Sequence, residues 1–342
     1  MPLAVTSANL PPTSLGVMAT GFWVSRAVYV AAKIGIADLL AQGPQGVEFL
    51  AEKTKSNPNA LFRLLRALSA VGLFANRNND VFELTDLGHA LRSDGEQSMR
   101  NYVIMLGRPE SWRAWEHLEH SIKTGVPAFE YEYEVSLFQY LAANPVLGEA
   151  FDEGMRSRGM ADDNAIVAAY DFSKVESIVD LGGGTGRLLS TVLKSAPRAN
   201  GILFDLAHVI EGPRKSLVAS DVGKRIDTVA GDFFQGVPAS ADLYLLKQVI
   251  HDWSDEQATK LLANCRRSMP AKSKMLIFEL VVEPDSILPK LLDLMMLVWT
   301  GGRERTREQY EQLLANAGLR LVRIIPTCTS ICILEAVPFG TN

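Results

Sequence analysis

One histidine and two glutamates are the residues of this chain best suited to move a proton. His251 lies in the run Lys247-Gln-Val-Ile-His-Asp-Trp253, which directly follows a predicted strand. Glu279 ends the next predicted strand, and Glu304 lies in a glycine-rich turn. A neutral imidazole with a pKa of about 6.5 is a competent general base when a carboxylate fixes its tautomer. The expected catalytic group is therefore His251 as the base, with Glu279 and Glu304 beside it.

The same stretch also contains residue types that bind metals. His251, Asp252 and Asp255 offer an imidazole and two carboxylates. However, the run from Ser254 to Gln257 has the pattern of a capping box, and acidic residues favour the first turn of a helix. Because helix capping already explains these carboxylates, we predict no metal.

A glycine-rich loop is the second candidate site. The run Ser177–Arg187 reads S-I-V-D-L-G-G-G-T-G-R, which predicts a strand, a turn and a helix, as at the start of a nucleotide-binding α/β domain. The loop matches neither the dinucleotide fingerprint nor the phosphate-binding P-loop. Asp180 would repel a pyrophosphate but suits an ammonium or sulfonium ion. Asp180, Gly182 and Gly184 are thus predicted ligand-binding residues, and a plain strand-to-helix turn is the alternative.

Two further strand ends complete a predicted nucleoside site. Asp205 follows the second strand, nineteen residues after Gly186, where a carboxylate can accept both ribose hydroxyls. A helix N-cap is the alternative role of Asp205. Asp232 and Phe233 follow the third strand and offer a carboxylate for an exocyclic amine and a ring for stacking on a purine.

The elements that must position these residues alternate between strands and helices after Val175. This alternation predicts a doubly wound, mostly parallel α/β sheet that binds ligands beyond the carboxyl ends of its strands. The expected strands lie near 177–181, 201–205, 226–230, 242–247 and 274–280, with a closing pair near 319–326 and 330–337.

The first 95 residues predict three helices and a β-hairpin, the pattern of a winged helix. Helical patterns span about 15–40, 47–55 and 57–71, and the hairpin strands lie at 73–75 and 81–84. This part carries eight Lys/Arg and seven Asp/Glu residues, so it has no basic face for nucleic-acid phosphates. The first helix is apolar on most sides and must be buried, either by a partner subunit or within the chain.

Residues 96–170 are predicted to form helices at 99–106, 112–124, 137–143, 146–155 and 161–170. The expected organisation is an N-terminal domain (1–95), a helical connecting segment that contributes to a substrate pocket (96–170), and a catalytic domain (171–342). Large apolar and aromatic side chains in the connecting segment suit the wall of a ligand site.

Composition narrows the possible classes of function. The 342 residues carry a net charge of −5 and are 47% hydrophobic, which favours neither nucleic acid nor an anionic membrane as a partner. Three cysteines are too few for a disulfide framework or a zinc site. The N-terminus lacks a signal-peptide pattern, and Arg26 and Lys33 interrupt the most apolar run, so we expect a cytoplasmic protein without a transmembrane helix.

Taken together, these motifs resemble the S-adenosylmethionine-dependent O-methyltransferases of the caffeate and hydroxyneurosporene type. The resemblance covers nearly the whole chain and rests on V-D-L-G-G-G-T-G, F-D-L-A-H-V-I, A-G-D-F-F, H-D-W-S-D-E, G-G-R-E-R-T and the helical Phe151-x-x-x-Met155. The family pattern has a proline where this chain has Ala207.

The resemblance implies a Rossmann-like, cation-independent methyltransferase whose winged-helix domain forms a homodimer and does not bind DNA. It implies that Gly182, Asp205, Asp232, Phe233 and Lys247 bind the methyl donor; the role of Lys247 comes from the resemblance alone. It also identifies His251 as the base, flanked by Glu279 and Glu304.

The expected reaction is methyl transfer to a hydroxyl, phenolic by preference, on a small aromatic or polyketide-like metabolite. The candidate acceptor contacts are Met105, Phe151, Met155, Trp253, Met296 and Trp299, and core packing is the alternative role of each. Two other functions stay open: a relative that binds the donor but decarboxylates or hydroxylates its substrate, and a DNA-binding regulator.

Overall fold

A computed structural model describes residues 13–78, 80–95, 97–211, 217, 220–238 and 240–340. The chain divides into two compact units. The first unit is Met1–Arg113 with Asn144–Met160, and the second is Ala114–Ala143 with Ala161–Asn342. Residues 96–170, predicted as one connecting segment, are thus shared between the two units.

The first unit begins with helices around a small sheet. Its elements are α1 (Thr13–Ala19), α2 (Gly21–Lys33), α3 (Ile36–Leu40), β1 (Gln45–Gly46), α4 (Val47–Thr54), α5 (Pro58–Ala70), β2 (Phe74–Asn76), β3 (Val81–Leu84), α6 (Asp86–His89), α7 (Arg100–Gly107) and the first part of α8 (Pro109–Glu116), whose last three residues belong to the second unit. The strands pair antiparallel in the order β1-β3-β2, which confirms the predicted hairpin. At the start of α5, the side chain of Asn57 accepts a hydrogen bond from the backbone N–H of Ala60, and Leu61, Leu65 and Leu68 face the core.

The predicted single helix over 15–40 is wrong, because the chain forms three helices there. Thr20 separates α1 from α2, and Gly35 adopts φ 74° between α2 and α3, a conformation that favours glycine. Several apolar side chains of α1 and α2 are exposed, among them Phe22 and Trp23. The stretch Ser14–Lys33 passes a length and composition test for a membrane span, although core helices pass the same test.

The second unit is built on a seven-stranded sheet. The remaining elements of the chain are α9 (Leu118–Thr124), α10 (Ala128–Tyr133), α11 (Leu137–Ala143), α12 (Pro145–Ala169), β4 (Ser177–Leu181), α13 (Arg187–Ser195), β5 (Asn200–Asp205), α14 (Ala207–Glu211), β6 (Ile226–Ala230), β7 (Leu243–Lys247), α15 (Asp255–Ser268), β8 (Lys274–Glu279), α16 (Leu288–Trp299), α17 (Arg307–Asn316), β9 (Leu319–Pro326) and β10 (Cys332–Pro338). The strand order is β6-β5-β4-β7-β8-β10-β9.

All seven strands predicted after Val175 are confirmed. Strands β4 to β8 run parallel, and β10 pairs antiparallel with both β8 and β9. The carboxyl ends of β4, β5, β7 and β8 therefore lie at one edge of the sheet, as the predicted site requires. Apolar side chains of both sheet faces are buried in two clusters of this unit, one around Tyr244 and one around Leu245.

Three helix predictions need correction. The predicted helix 112–124 is divided at His117 into α8 and α9. The predicted helices 146–155 and 161–170 are one helix, α12. Helix α10 was not predicted, because the break expected around Gly125 and Pro127 is followed by six further helical residues.

Candidate active site

His251 is a buried residue held by two glutamates on one side of its ring. It lies in a 3-10 turn, Ile250–Asp252, directly beyond β7. Its Nδ1 is 2.8 Å from Oε1 of Glu304 and 3.3 Å from Oε2 of Glu279. Oδ1 of Asp252 is 3.8 Å from Nε2, too far for a hydrogen bond. Nδ1 thus carries the proton that faces the glutamates, and Nε2 is the nitrogen that can exchange a proton with a substrate.

Glu279 also shapes the backbone that carries His251. Its Oε1 accepts hydrogen bonds from the N–H groups of Val249, Ile250 and His251, at 3.1, 3.0 and 3.3 Å. The residue is fully buried at the end of β8. One carboxylate therefore positions both the turn and the imidazole ring.

The charges around His251 favour its protonated form. Burial alone would lower the pKa of His251, but the charges of Glu279, Asp252 and Glu304 outweigh burial and raise it to about 10. Burial raises the pKa of Glu279 to about 7 and that of Asp252 to about 6. The neighbouring carboxylates thus shift the pKa of His251 above that of an ordinary imidazole, in the direction that favours the imidazolium.

Glu304 reaches His251 from a loop that packs directly against the 250–252 turn. The backbone N–H of Arg303 donates to the carbonyl of His251 at 2.8 Å. A Cβ at Gly302 would overlap that same carbonyl oxygen, so only glycine permits this approach. The Glu304 N–H donates to Oδ1 of Asp293 at 2.8 Å.

Asp180 is buried beside the glycine loop. It is 1% exposed, and its Oδ2 has no hydrogen-bond partner among the described residues. Burial raises the pKa of Asp180 to about 7, and the charges of Asp163 and Asp205 add to the shift. A Cβ at Gly183 would contact the carboxylate of Asp180 and the side chain of Leu203, so the loop fits closely around this acid.

Asp163 is a residue of this region that sequence reasoning missed. It lies on α12, is 1% exposed, and forms ion pairs with Lys247, at the end of β7, and Arg187, at the start of α13. The distance from Arg187 to Oδ2 of Asp163 is 2.6 Å. Neither partner is near Asp163 in sequence, and an acidic residue on a helix gives no signal by itself.

The other predicted donor residues surround the same loop. Asp205 accepts hydrogen bonds from the N–H of Gly184 at 2.9 Å and of Leu206 at 2.7 Å, and burial raises its pKa. Asp232 accepts from the Phe234 N–H at 2.8 Å. A Cβ at Gly182 would lie 3.7 Å from Cε1 of Phe233.

The loop also lies next to the segment that carries His251, the predicted base. The same Cβ position at Gly182 lies 2.9 Å from Cγ2 of Val249, two residues before His251. The structure thus brings the predicted ligand loop, the Phe233 ring and the turn of His251 together at the carboxyl edge of the sheet.

The six predicted acceptor contacts are divided between the units. In the first unit, Met105 is buried, Phe151 and Met155 are half-buried on α12, and a Cβ at Gly154 would contact Met105. In the second unit, Met296 and Trp299 are buried on α16, and Met296 belongs to a core cluster.

Trp253 lies in an aromatic group of the second unit. Its ring stacks near Phe138, with centroids 5.8 Å apart, and meets Phe234 edge-on at 4.7 Å. Its Nε1 is buried and has no hydrogen-bond partner among the described residues.

Comparison with known proteins agrees with this architecture. The family model of an O-methyltransferase domain matches residues 115–320, and that of an O-methyltransferase dimerisation domain matches residues 17–94. A phenazine O-methyltransferase of Lysobacter antibioticus is 44% identical over 324 residues, 94% of each chain. A phenazine-1-carboxylate N-methyltransferase of Pseudomonas aeruginosa is 33% identical over 308 residues, 90% of this chain and 91% of the relative.

A solved structure supports the same relationship. An O-methyltransferase from neocarzinostatin biosynthesis, in complex with S-adenosylmethionine and 2-hydroxy-5-methyl naphthoic acid, superposes with a TM-score of 0.81. It is 32% identical, and the match covers 97% of this chain and 100% of that one. The chain therefore belongs to the S-adenosylmethionine-dependent O-methyltransferases, with a dimerisation domain preceding the catalytic domain.

Proposed function

We propose that this enzyme methylates a hydroxyl oxygen of a small aromatic metabolite, with His251 as the general base. One observation carries the proposal: Nδ1 of His251 is held 2.8 Å from Glu304, which leaves Nε2 to take the hydroxyl proton. Relatives named for aromatic acceptors support the class of substrate.

The residues around the glycine loop fit S-adenosylmethionine. Asp180 presents a buried carboxylate oxygen without a partner, which suits a positively charged group of the donor. Asp205 and Asp232 retain free lone pairs for donor hydroxyl and amine groups, and Phe233 offers a ring for stacking. When bound, the donor supplies a methyl group already activated on its sulfonium. The protein has mainly to hold the acceptor oxygen in line behind it.

The raised pKa of His251 determines how much of the imidazole is neutral and able to accept a proton. With a pKa of about 10, the ring is mostly protonated at neutral pH, and only the neutral fraction can accept a proton. The positive charge of a bound donor disfavours the imidazolium and increases that fraction. A phenol, with a pKa of about 10 like that of tyrosine, then matches the imidazole for proton transfer. We therefore favour phenols over aliphatic alcohols as acceptors.

Aromatic contacts suit a flat acceptor. Trp253 and Phe138 offer an apolar surface in the second unit, and we retain Met105, Phe151, Met155, Met296 and Trp299 as proposed acceptor contacts. Met296 has the strongest claim to a purely structural role, since it packs within the core.

Methylation of a ring or amine nitrogen is the second candidate. The relative named as a phenazine-1-carboxylate N-methyltransferase favours it. A tertiary ring nitrogen has no proton to remove, so His251 would be dispensable for that reaction. No relative named here supports decarboxylation, hydroxylation or DNA binding in the same way.

For the assembly, we propose a homodimer formed through the region that matches the dimerisation model.

The test is transfer of a labelled methyl group from the donor to a panel of phenols, anilines and phenazines. For His251→Ala we expect kcat/KM with phenols to fall by about 10²- to 10⁴-fold. The wild-type kcat/KM should rise with pH by about tenfold per unit below the pKa of His251. His89→Ala, which replaces an exposed histidine of α6, is the matched control. Equal rates for wild type and His251→Ala on a phenol would refute the role of the base, and a preference for ring nitrogens would favour the second candidate.

A further inference from the structure

Arg305 is a fully buried arginine next to Glu304 in sequence. Burial of a guanidinium is costly unless its donors are all satisfied. Its Nε and Nη2 contact Oδ1 of Asp255 at 2.9 and 2.8 Å. The other acceptors are three backbone carbonyls, those of Ile250, Arg303 and Trp253, at 3.1, 3.1 and 2.9 Å. Four of these contacts are hydrogen bonds, one from Nε, two from Nη1 and one from Nη2, and the fifth, from Nη2 to Asp255, is an ion pair.

The acceptors of Arg305 lie on both sides of His251. The carbonyl of Ile250 precedes the histidine, the carbonyl of Trp253 follows it by two residues, and Asp255 begins α15. One planar side chain therefore fixes the ends of the turn that carries the base. A guanidinium suits this task because its donors form a rigid fork.

The backbone of Arg305 contacts the segment that follows Glu279. The carbonyl of Arg305 accepts a hydrogen bond at 3.0 Å from the N–H of Val282, three residues after Glu279. Arg305 also directly follows Glu304. The three segments that supply the base and its two glutamates thus meet at this one residue.

We propose that Arg305 is a positioning residue that holds the turn of His251 in register with Glu304 and Glu279. It does not touch the reacting atoms; it acts through the direction in which the imidazole presents Nε2. This inference rests on the proposed role of His251 as the base.

Arg225 provides a matched control within the same unit. Its guanidinium also donates to three backbone carbonyls, those of Ala196, Ala199 and Leu193, at 2.9, 2.8 and 2.8 Å. These carbonyls lie at the end of α13 and just beyond it, away from the turn of His251. Arg225→Lys therefore removes a comparable set of backbone contacts without changing the segments around the base.

The test compares Arg305→Lys with Arg225→Lys, because lysine keeps the positive charge but lacks the fixed set of guanidinium N–H donors. For Arg305→Lys we expect kcat to fall by about 10²-fold, as for a reacting group displaced by about 1 Å. The affinity for S-adenosylhomocysteine, measured by calorimetry, should stay within about twofold of wild type, because the hydrogen bonds of the Arg305 side chain go to none of the proposed donor-binding residues. Arg225→Lys should retain wild-type kcat in its folded fraction.

A second readout does not depend on activity. The chain has five histidines, so the His251 ring can be followed by NMR with selective labelling and assigned by its loss in His251→Asn. In Arg305→Lys the glutamates should lose their close contacts with Nδ1, and the pKa of His251 should fall towards its ordinary value. An unchanged kcat with an unchanged pKa of His251 would overturn the proposal. So would an equal effect in Arg225→Lys, because a general loss of rigidity would then explain both.

A milder variant covers the case in which Arg305→Lys does not fold. Asp255 is 59% exposed on its side chain, and Asp255→Asn leaves the three carbonyl contacts of Arg305 in place. We expect a loss of kcat of about three- to tenfold, less than for the full removal of the fork, and a smaller fall in the pKa of His251. Glu256→Gln, at the next position of the same helix, is its control. An Asp255→Asn enzyme identical to wild type in both measurements would refute the proposal.

The two readouts separate this inference from the proposed function. If His251→Ala keeps its activity on phenols, His251 is not the base, yet the NMR titration still reports whether Arg305 positions the ring. If His251→Ala is inactive and Arg305→Lys is normal in both readouts, the base is correct and the positioning role is wrong.

Discussion

Asp163 is a buried carboxylate between two cations, Lys247 and Arg187, at the edge of the proposed donor site. In Asp163→Asn both cations keep their charge and lose the negative charge of this one partner. The positive charge left behind should weaken binding of a cationic ligand more than that of a neutral one.

S-adenosylmethionine carries one positive charge more than S-adenosylhomocysteine, so the two ligands form a test of this idea. We expect Asp163→Asn to weaken binding of the donor by about tenfold, or ~1.4 kcal/mol, and binding of the product by less. Isothermal titration of both ligands measures the ratio.

Asp242→Asn is the control for Asp163→Asn. Its carboxylate accepts hydrogen bonds from the N–H groups of Glu176 and Ser177 at the opposite end of the sheet. Equal losses for donor and product in Asp163→Asn would contradict the electrostatic explanation and indicate a purely structural role.

At the scale of single residues, the sequence predicted the site residues that lie at the ends of strands. It did not predict the site residue that a helix contributes. Asp180, Asp205 and Glu279 lie at the ends of parallel strands that meet at one edge, so their neighbourhood follows from topology, whereas the role of Lys247 came from the family resemblance. Asp163 comes from a helix whose direction no pattern reveals. Arg305 was missed for a different reason: arginine is rarely fully buried, so nothing in the motif G-G-R-E-R-T distinguishes it from a surface arginine.

At the scale of elements, the loop 301–305 must approach the 250–252 turn without a side chain between them. In Gly302→Ala the new Cβ would overlap the carbonyl of His251 and push the loop that carries Glu304 away. We expect a loss of stability of about 1–3 kcal/mol, as for other overpacked sites, and a fall in kcat of at least about tenfold.

Gly236→Ala is the matched control for Gly302→Ala, since among the described residues no heavy atom beyond its chain neighbours lies within 4 Å of its Cβ position. Denaturant unfolding measures the free energy of unfolding of both variants, and steady-state kinetics measures their kcat. Normal activity of Gly302→Ala would show that the close approach is not required for the base.

The element that sequence patterns described least well is α12. Its polar stretch after Met155 and its glycines at 154 and 159 predict a break, because glycine costs about 1 kcal/mol relative to alanine in a helix. The structure instead packs Met105 against Gly154, where a larger residue would not fit. In α12, tertiary packing thus outweighs the low helix propensity of these residues. The strands could be recognised from their own sequence patterns.

At the scale of the whole molecule, exposed apolar residues of α1 and α2 provide a surface for the proposed homodimer. Phe22 and Trp23 lie within the segment that matches the dimerisation model, and Trp23 is 64% exposed. An exposed apolar cluster of this kind commonly marks an interface. We expect Trp23→Glu to convert a dimer into a monomer, because it places a charge within the proposed apolar contact.

Sedimentation velocity at micromolar concentration measures this change. Ile122→Glu, at a residue of α9 that is 62% exposed, is the control and should leave the assembly unchanged. A dimer that persists in Trp23→Glu would place the interface elsewhere on the molecule.

The carboxylates around His251 also affect how the protein folds. In the unfolded chain the imidazole has a pKa of about 6.5, whereas in the native protein it is raised to about 10. Near pH 8 the native state therefore holds a proton that the unfolded chain does not, so folding takes up a proton from solvent. This contribution to stability is complete below pH 6.5 and is lost as the pH rises towards 10. The stabilisation that these charges provide is thus lost under the same alkaline conditions in which the proposed base becomes neutral.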